Sequence, residues 1–340
     1  MQAFAFQATG RGPCRSHGPR GPLRTAPIPC ILGQHGFQTT LLTASDPNRL
    51  RERMKNLLPI LAICAAIIAV WYAGTIRMNS AWEYDQAERA GVELPFGQMV
   101  ANTMAQERPM LPAPHQVAEE IWKTTAEKKL TSKRSLVWHS WITLSATLLG
   151  FVFGTVLGIA LAVGIVHNRA MDRSVMPWVI ASQTIPILAL APMFIVVLNA
   201  LNVEGAVAKA AISTYLSFFP VVVGMVKGLR APDHMQLDLM RTNNASRWAT
   251  FWKLRLPSSV PYLFPSLKIA AAASLIGAVV AEMTLSQDGG LGARLLNGSY
   301  YGQTMMIWAA LIAASLLAGV LVAAIGATGK VTMKRMGMAR

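Results

Sequence analysis

The residues best suited to chemistry or recognition stand together in the stretch DLMRTNNASRWATFWKLRLPSSVPY, which begins at Asp238. Guanidinium and ammonium groups bind carboxylates and other anions, and four occur here: Arg241, Arg247, Lys253 and Arg255. The same stretch holds three large aromatic anchors: Trp248, Phe251 and Trp252. A basic and aromatic stretch of this kind is typical of a docking element for another protein.

The local pattern of this stretch predicts a helix, a sharp turn and a second helix. The pair Asn243-Asn244 stands between two helix-compatible halves. Either Ser246 or Asn244 provides an N-cap for the second helix, and Pro257 is expected to end it. We expect Arg247 and Leu256 to lie on the exposed surface of this element.

No catalytic, metal or cofactor site is predicted elsewhere in the chain. His139, His167 and His234 lack partner ligands at helical spacing, which favours solvated or interfacial histidines. The segment GATGKV has Val331 where a phosphate-binding loop needs Ser or Thr. The chain therefore has no phosphate-binding loop of its own.

The elements that position the basic stretch are predicted to be membrane-spanning helices. Of the 340 residues, 53% are apolar and only 14% are charged, whereas soluble domains have roughly 25% charged residues. A bilayer core needs about 20 apolar residues per helical span. Uninterrupted apolar runs predict six helices and exclude a β-barrel, at residues 56–74, 141–166, 175–198, 210–226, 260–281 and 307–328.

The distribution of Lys and Arg predicts the orientation of these spans. The net charge of +15 raises the possibility of nucleic-acid binding, but the cations fall on alternate loops, as the positive-inside rule requires. The basic loops are 49–55, 169–173, 227–255 and 330–340. Both termini are therefore expected in the cytoplasm, with the chain in a bacterial inner membrane and no nucleic-acid partner.

Three segments outside the spans complete the predicted organisation. Residues 1–53 are rich in Gly, Pro and Arg without a period, which predicts a disordered tail and makes Met54 a candidate native start. Residues 75–138 form a predicted periplasmic loop in which LPAPHQVAEEIWKTTAEK suggests a short amphipathic helix. A five-helix core is predicted at residues 139–328 and includes the loop 229–258. Residues 329–340 form a predicted cytoplasmic tail after this core.

Several spans carry residues that suggest a pathway, a gate or a packing seam. Polar and helix-breaking residues in spans three and four indicate a pathway lining, and the candidates are Gln183, Thr184, Pro186, Pro192, Ser213 and Ser217. Glu282, near the end of span five, either shapes an outer gate or reaches the interface. Glycines four residues apart favour close helix packing, within one subunit or across a dimer: Gly150, Gly154 and Gly158.

The basic stretch resembles the signature loop of binding-protein-dependent ABC importer permeases, written E-A-A, three residues, G, nine residues, I-x-L-P. The corresponding positions here are Asp238, Leu239, Met240, Asn244, Leu254, Leu256 and Pro257, with Ala245, Ser246 and Arg247 continuing the match. Asn244 can adopt the left-handed conformation that Gly supplies in the family. The segments TIPILALAPMFIV and AVVAEMTLSQDGGLGARLLN resemble the nitrate/sulfonate/taurine branch, and the likeness covers about residues 111–328.

The resemblance implies an all-α polytopic membrane protein with a type I ABC importer permease core and no enzymatic activity. It implies a homodimer in the bilayer, two copies of a cytoplasmic ATP-binding subunit on the 238–257 loops, and a periplasmic binding protein that delivers a small solute such as a sulfonate, nitrate or taurine. Two alternatives stay open. An ion-coupled secondary transporter is disfavoured by the scarcity of ionisable residues in the spans, and an inner-membrane scaffold protein would show no solute flux.

Overall fold

The computed structural model describes residues 47–129 and 132–338, with side chains from residue 58 onward. Every regular element within those residues is helical. Twelve α-helices follow in order: α1 Pro47–Ala90, α2 Phe96–Ala105, α3 Pro114–Trp122, α4 Leu136–His167, α5 Arg169–Ala181, α6 Ile187–Ala200, α7 Ala206–Leu229, α8 His234–Thr242, α9 Arg247–Thr250, α10 Leu256–Thr284, α11 Leu291–Tyr300 and α12 Thr304–Arg335. Two π-helical turns, Lys123–Glu127 and Phe251–Arg255, follow α3 and α9.

Five helical segments are long and apolar enough to cross a membrane, and a bent pair makes a sixth crossing if its two helices act as one broken span. The five are Leu58–Ala90, Leu136–His167, Ala206–Leu229, Arg247–Thr284 and Thr304–Arg335. The bent pair joins Arg169–Thr184 to Ile187–Ala200 at an angle of 106°. This arrangement confirms the prediction of an all-α polytopic membrane protein.

The third predicted span, residues 175–198, is not a kinked helix but two helices with a sharp break between them. Ile185 is extended (φ −85°, ψ 123°), as expected before proline. Pro186 is also extended and serves as the N-cap of α6. The Tyr215 hydroxyl of α7 donates to the Ser182 carbonyl at the end of α5. The break is thus held by a contact from another helix.

The centre of the bundle is the close packing of α4, α7 and α10. A Cβ at Gly150 would overlap the Cβ of Ser213, and one at Gly158 would lie 2.7 Å from Val221 Cβ. The Ser217 hydroxyl donates to the Gly150 carbonyl at 3.1 Å. Small residues at this spacing let helices associate where lipid provides no hydrophobic driving force. The glycine seam is therefore a contact within one chain.

The segment predicted as a loop at residues 75–138 is mostly helical, because side chains from distant positions hold it. Helix α1 continues to Ala90, and α2 and α3 follow. Asn79 binds the backbone of the 110–111 stretch with both its oxygen and its nitrogen, at 2.9 Å each. The Trp71 indole donates to the Pro112 carbonyl at 3.0 Å. These bonds fold the segment back against α1.

The predictions for the two termini have different outcomes. The predicted tail at residues 1–53 lies outside the described residues up to residue 46, and α1 begins at Pro47. The candidate start Met54 stays a prediction. The cytoplasmic tail at residues 329–340 also stays a prediction, and its first part is helical because α12 extends to Arg335. Gly329 is buried there against the Phe264 ring.

The glycine seam gives a stability prediction for Gly150→Ala. The new methyl group would overlap Ser213 and lie 2.9 Å from the Ala210 carbonyl oxygen, so the helices must separate. We expect a destabilisation of about 1–3 kcal/mol, measured as a lower thermal midpoint of the purified protein in detergent. Gly319→Ala on α12 is the matched control, because a Cβ there meets nothing within 4 Å. Equal thermal midpoints for the two variants would contradict the close packing of α4 against α7 at Gly150.

Candidate functional site

The stretch singled out by the sequence forms a compact segment between α7 and α10, here called the coupling segment (residues 234–255). Asp233 caps α8 and accepts from the His234 N–H at 2.7 Å. Asn244 is left-handed (φ 52°), so it occupies the conformation that Gly supplies in the signature loop. The Ser246 hydroxyl oxygen accepts from the Ala249 N–H at 3.2 Å and caps α9. The predicted helix–turn–helix is present.

The expectation that Pro257 ends the second helix is wrong. The chain is helical without interruption from Arg247 to Thr284, and Pro257 lies within the first two positions of α10. A proline inside a helix lacks an N–H and clashes with the carbonyl four residues before it. The π-helical turn Phe251–Arg255 directly precedes the proline, and its wider spacing accommodates this clash.

The coupling segment is anchored by one aromatic ring and leaves others exposed. Phe251 is buried and packs edge-on against the His167 ring at the end of α4, at 5.2 Å between centroids. Leu256 is half-buried against the same core and does not lie on the exposed surface as expected. Four exposed apolar side chains define the docking face: Met235, Leu239, Trp248 and Trp252. The buried anchor and the exposed apolar side chains are therefore different residues of the segment.

The polar residues of the motif also lie at the surface. Asp238 forms an exposed ion pair with Arg241 at 2.9 Å, which contributes little to stability. Arg247 begins α9 and is exposed, while Met240, Ala245 and Leu254 are half-buried.

The predicted pathway residues fall into two separate groups. Gln183 and Thr184 lie exposed in the short 3₁₀ turn at the α5–α6 break, next to Pro186, and Pro192 is exposed within α6. The other group consists of Ser213 and Ser217, which are fully buried in the contact of α7 with α4. The structure does not bring these serines together with Gln183, because they fill the space that the α4 glycines leave.

Glu282 is fully buried at the end of the bundle opposite the coupling segment. Its Oε2 accepts from the Thr143 hydroxyl and from the Gly292 N–H, both at 2.9 Å. Gly290 is left-handed (φ 118°), and a Cβ there would overlap the Glu282 carboxyl group. The carboxylate thus needs glycine beside it and accepts from one of the free backbone donors at the start of α11.

Two side chains of α4 complete this arrangement, and we call His139, Thr143 and Glu282 the outer clasp. The His139 Nδ1 accepts from the Gly290 N–H at 2.9 Å. The Thr143 hydroxyl oxygen accepts from the Leu291 N–H, also at 2.9 Å. Three consecutive backbone donors at the start of α11 are therefore bound by α4 and α10. The outer clasp joins three helices at a single point.

Lys209 is the residue that the sequence analysis missed. It lies near the start of α7, where its side chain is only 2% exposed. Its Nζ lies 3.3 Å from the Gly289 carbonyl oxygen and 3.6 Å from Asp288. The signal was present, because Lys209 stands among the alanines of AVAKAAIS, where a solvated cation is unusual.

Arg294 of α11 is a second buried cation near the outer clasp. Burial lowers the pKa of its guanidinium group, and the negative charge of Glu120 on α3 partly offsets this effect. The Arg294 guanidinium group of α11 is therefore close enough to α3 to interact with the charge of Glu120. For the residues that the structure describes, no three His, Cys, Asp or Glu side chains form a group able to hold a metal ion.

Comparison with known proteins places the chain among transport permeases. Residues 154–336 match the family described as "Binding-protein-dependent transport system inner membrane component". A probable ABC transporter permease protein of Haemophilus influenzae is 31% identical over 223 residues, which is 65% of this chain and 85% of that protein. The match therefore spans most of the relative.

Relatives with a named solute differ in what they carry. The formylaminopyrimidine transport permease protein of Halalkalibacterium halodurans is 33% identical, covering 49% of this chain and 62% of its own. The riboflavin transport system permease protein of Chloroflexus aurantiacus is 27% identical, and the match covers 61% of this chain and 74% of that protein. Permeases named for aliphatic sulfonates and for nitrate also match, at 24% and 26% identity. The resemblance stated from the sequence is confirmed.

The outer clasp gives a prediction for Thr143→Val. This nearly isosteric change removes the acceptor for the Leu291 N–H and the donor to Glu282. We expect a loss of about 1–3 kcal/mol in stability and faster hydrogen exchange at the Leu291 amide, read by mass spectrometry. Ser145→Ala is the matched control, because its hydroxyl donates only within α4, to Ile142 O at 2.8 Å. Unchanged exchange in Thr143→Val would show that the clasp does not hold α11.

Proposed function

Because the chain belongs to the family of binding-protein-dependent transport system inner membrane components, we propose that it is the membrane-spanning permease subunit of an ATP-driven importer. Permeases of ABC transporters are not themselves enzymes, since ATP hydrolysis resides in separate subunits. The observation that carries the proposal is the coupling segment, a capped helix–turn–helix with an exposed apolar docking face between two core helices.

The partners follow from this role. ABC permeases of this family work with an ATP-binding subunit and a substrate-binding protein. We propose two copies of the ATP-binding subunit, each with its own ATP and Mg²⁺, docked on the coupling segments of a permease homodimer. The substrate-binding protein would dock at the opposite end, where α2, α3 and α11 lie.

The orientation is part of the proposal. The cations Arg241, Arg247, Lys253 and Arg255 favour a cytoplasmic coupling segment by the positive-inside rule. With this orientation, the outer clasp at the other end of α4 and α10 would face the periplasm, across a bacterial inner membrane. Because α12 runs back toward the coupling side, both termini would be cytoplasmic.

Two groups of residues are proposed for the pathway and its gate. The α5–α6 break exposes Gln183, Thr184 and Pro186, and broken helices in membranes are tolerated where they line a water-filled cavity or face protein. Pro192 continues this surface on α6, whereas Ser213 and Ser217 would reach a solute only if α4 and α7 separated. Glu282 would act as an outer gate through its hold on α11.

The solute is proposed only as a class, a small polar nutrient. Relatives named for a formylaminopyrimidine and for riboflavin match at 33% and 27% identity, and those named for sulfonates and nitrate at 24% and 26%. We therefore favour a nitrogen heterocycle, with sulfonates, taurine and nitrate as the next candidates. Transport by the reconstituted complex, with each solute tested separately, decides between them.

The docking face gives a prediction for the double variant Leu239→Asp and Trp248→Ala. Both side chains are exposed, at 62% and 69%, so the spans should still fold. We expect the ATP-binding subunit to be lost from a gentle-detergent affinity purification, because apolar anchors carry most interface energy. Val92→Asp is the control, since Val92 is 61% exposed at the other end of the bundle. Undiminished recovery of the subunit with Leu239→Asp and Trp248→Ala would refute the docking face.

The energy source distinguishes the importer from an ion-coupled transporter. In proteoliposomes that contain the purified complex and a solute-binding protein, uptake should require ATP on the coupling-segment side. Uptake should persist when ionophores collapse proton and sodium gradients. Gradient-driven uptake without ATP would favour the secondary transporter, and no uptake of any solute would favour the scaffold protein.

A further inference from the structure

A cleft of about 450 Å³ lies between the end of α4 and the coupling segment. Helix α4 contributes Val166 and His167, and α8 contributes Leu237 and Arg241. The turn, α9 and the π-helical turn contribute Ala245, Arg247, Thr250 and Arg255. The wall of the cleft thus combines the last turn of a membrane-spanning helix with four parts of the coupling segment.

The charges that line this cleft are all of one sign. Three arginines, Arg241, Arg247 and Arg255, converge on it, and its lining contains no Asp or Glu. Arg241 uses its Nη1 for the exposed ion pair with Asp238, which leaves its other N–H groups available. A guanidinium group offers up to five donors in a planar fork that matches the oxygens of phosphate.

The cleft also lies at the depth where lipid headgroups would be expected. His167 is the last residue of the spanning helix α4, and Arg255 directly precedes the long apolar helix α10. Basic pockets beside transmembrane helices on the cytoplasmic side bind anionic headgroups.

We propose that this cleft binds a phosphate group, supplied by an anionic phospholipid or by free phosphate. The phosphate oxygens accept from Arg241, Arg247 and Arg255, and the remaining walls come from α4 and the turn. A bound phosphate would join α4, α8 and α9, so it would fix the orientation of the docking face. This site goes beyond the proposed importer function, because it requires neither an ATP-binding subunit nor a transported solute.

The test uses the full-length chain purified alone in mild detergent. The protein is first exchanged into detergent from bilayers that contain phosphatidylcholine and phosphatidylglycerol. Native mass spectrometry then counts the phosphatidylglycerol molecules that stay bound. Isothermal titration calorimetry measures the affinity of the protein for inorganic phosphate. The variant Arg247→Gln with Arg255→Gln should weaken retention or phosphate binding by about tenfold or more, since it removes two charge-assisted donors. Lys253→Gln is the control, because Lys253 is exposed on the same segment and does not line the cleft.

Each outcome supports the site or overturns it. Retained phosphatidylglycerol that depends on the two arginines supports a lipid source, and phosphate binding with the same dependence but without lipid retention supports a soluble source. Equal binding by wild type and the double variant, or no binding of either probe, would overturn the proposal. If binding of both probes were unchanged and the double variant lost the ATP-binding subunit in the affinity purification used for the docking face, the cleft would be a protein contact. That result would overturn the phosphate site and leave the importer assignment standing.

Arg255→Lys keeps the test valid if Arg247→Gln with Arg255→Gln does not fold. Lysine preserves the positive charge but lacks the planar fork, so this variant should retain part of the affinity. The proposal would also be overturned by two results together. Arg255→Lys would bind the probes as tightly as the wild type, and Arg241→Gln would still bind them.

Discussion

The rest of the structure depends on one constraint, the close approach of α4, α7 and α10. Helices in a bilayer gain no hydrophobic free energy from meeting each other, so they associate through small residues and interhelical hydrogen bonds. Here Gly150 meets Ser213, Gly277 lies against the same serine, and the Ser274 hydroxyl donates to the Thr147 carbonyl at 2.8 Å. Helices α5, α6, α11 and α12 pack against this triad, which gives both ends of the bundle a common frame.

Both functional ends of the molecule are built on two of these helices. At one end, the last turn of α4 holds Phe251, and α10 continues directly from the coupling segment. At the other end, His139 and Thr143 of α4 and Glu282 of α10 bind the start of α11. The α5–α6 pair, with its 106° break, lies outside this frame. This pair exposes Gln183 and Thr184 at its break, while Ala191 and Ile195 of α6 pack against Ile212 of α7.

Local patterns were sufficient to predict much of this, and nonlocal contacts explain the rest. The length of the apolar runs predicted the membrane-spanning helices. The turn at Asn244 and the helix cap at Ser246 were predicted from the local conformational preferences of these residue types. The extension of α1 depends on Asn79 binding a stretch more than thirty residues away. The burial of Lys209 depends on a carbonyl eighty positions later. No window of sequence contains both partners of such contacts.

The uninterrupted helix through Pro257 has a mechanical consequence. From Arg247 to Thr284 it has 38 residues, which at 1.5 Å per residue is about 57 Å, nearly twice the roughly 30 Å of a bilayer core. Trp248 stands near one end and Glu282 near the other, with no break in the helix between them. The coupling segment and the outer clasp therefore share one continuous helix, so a displacement of this helix along its axis would involve both of them.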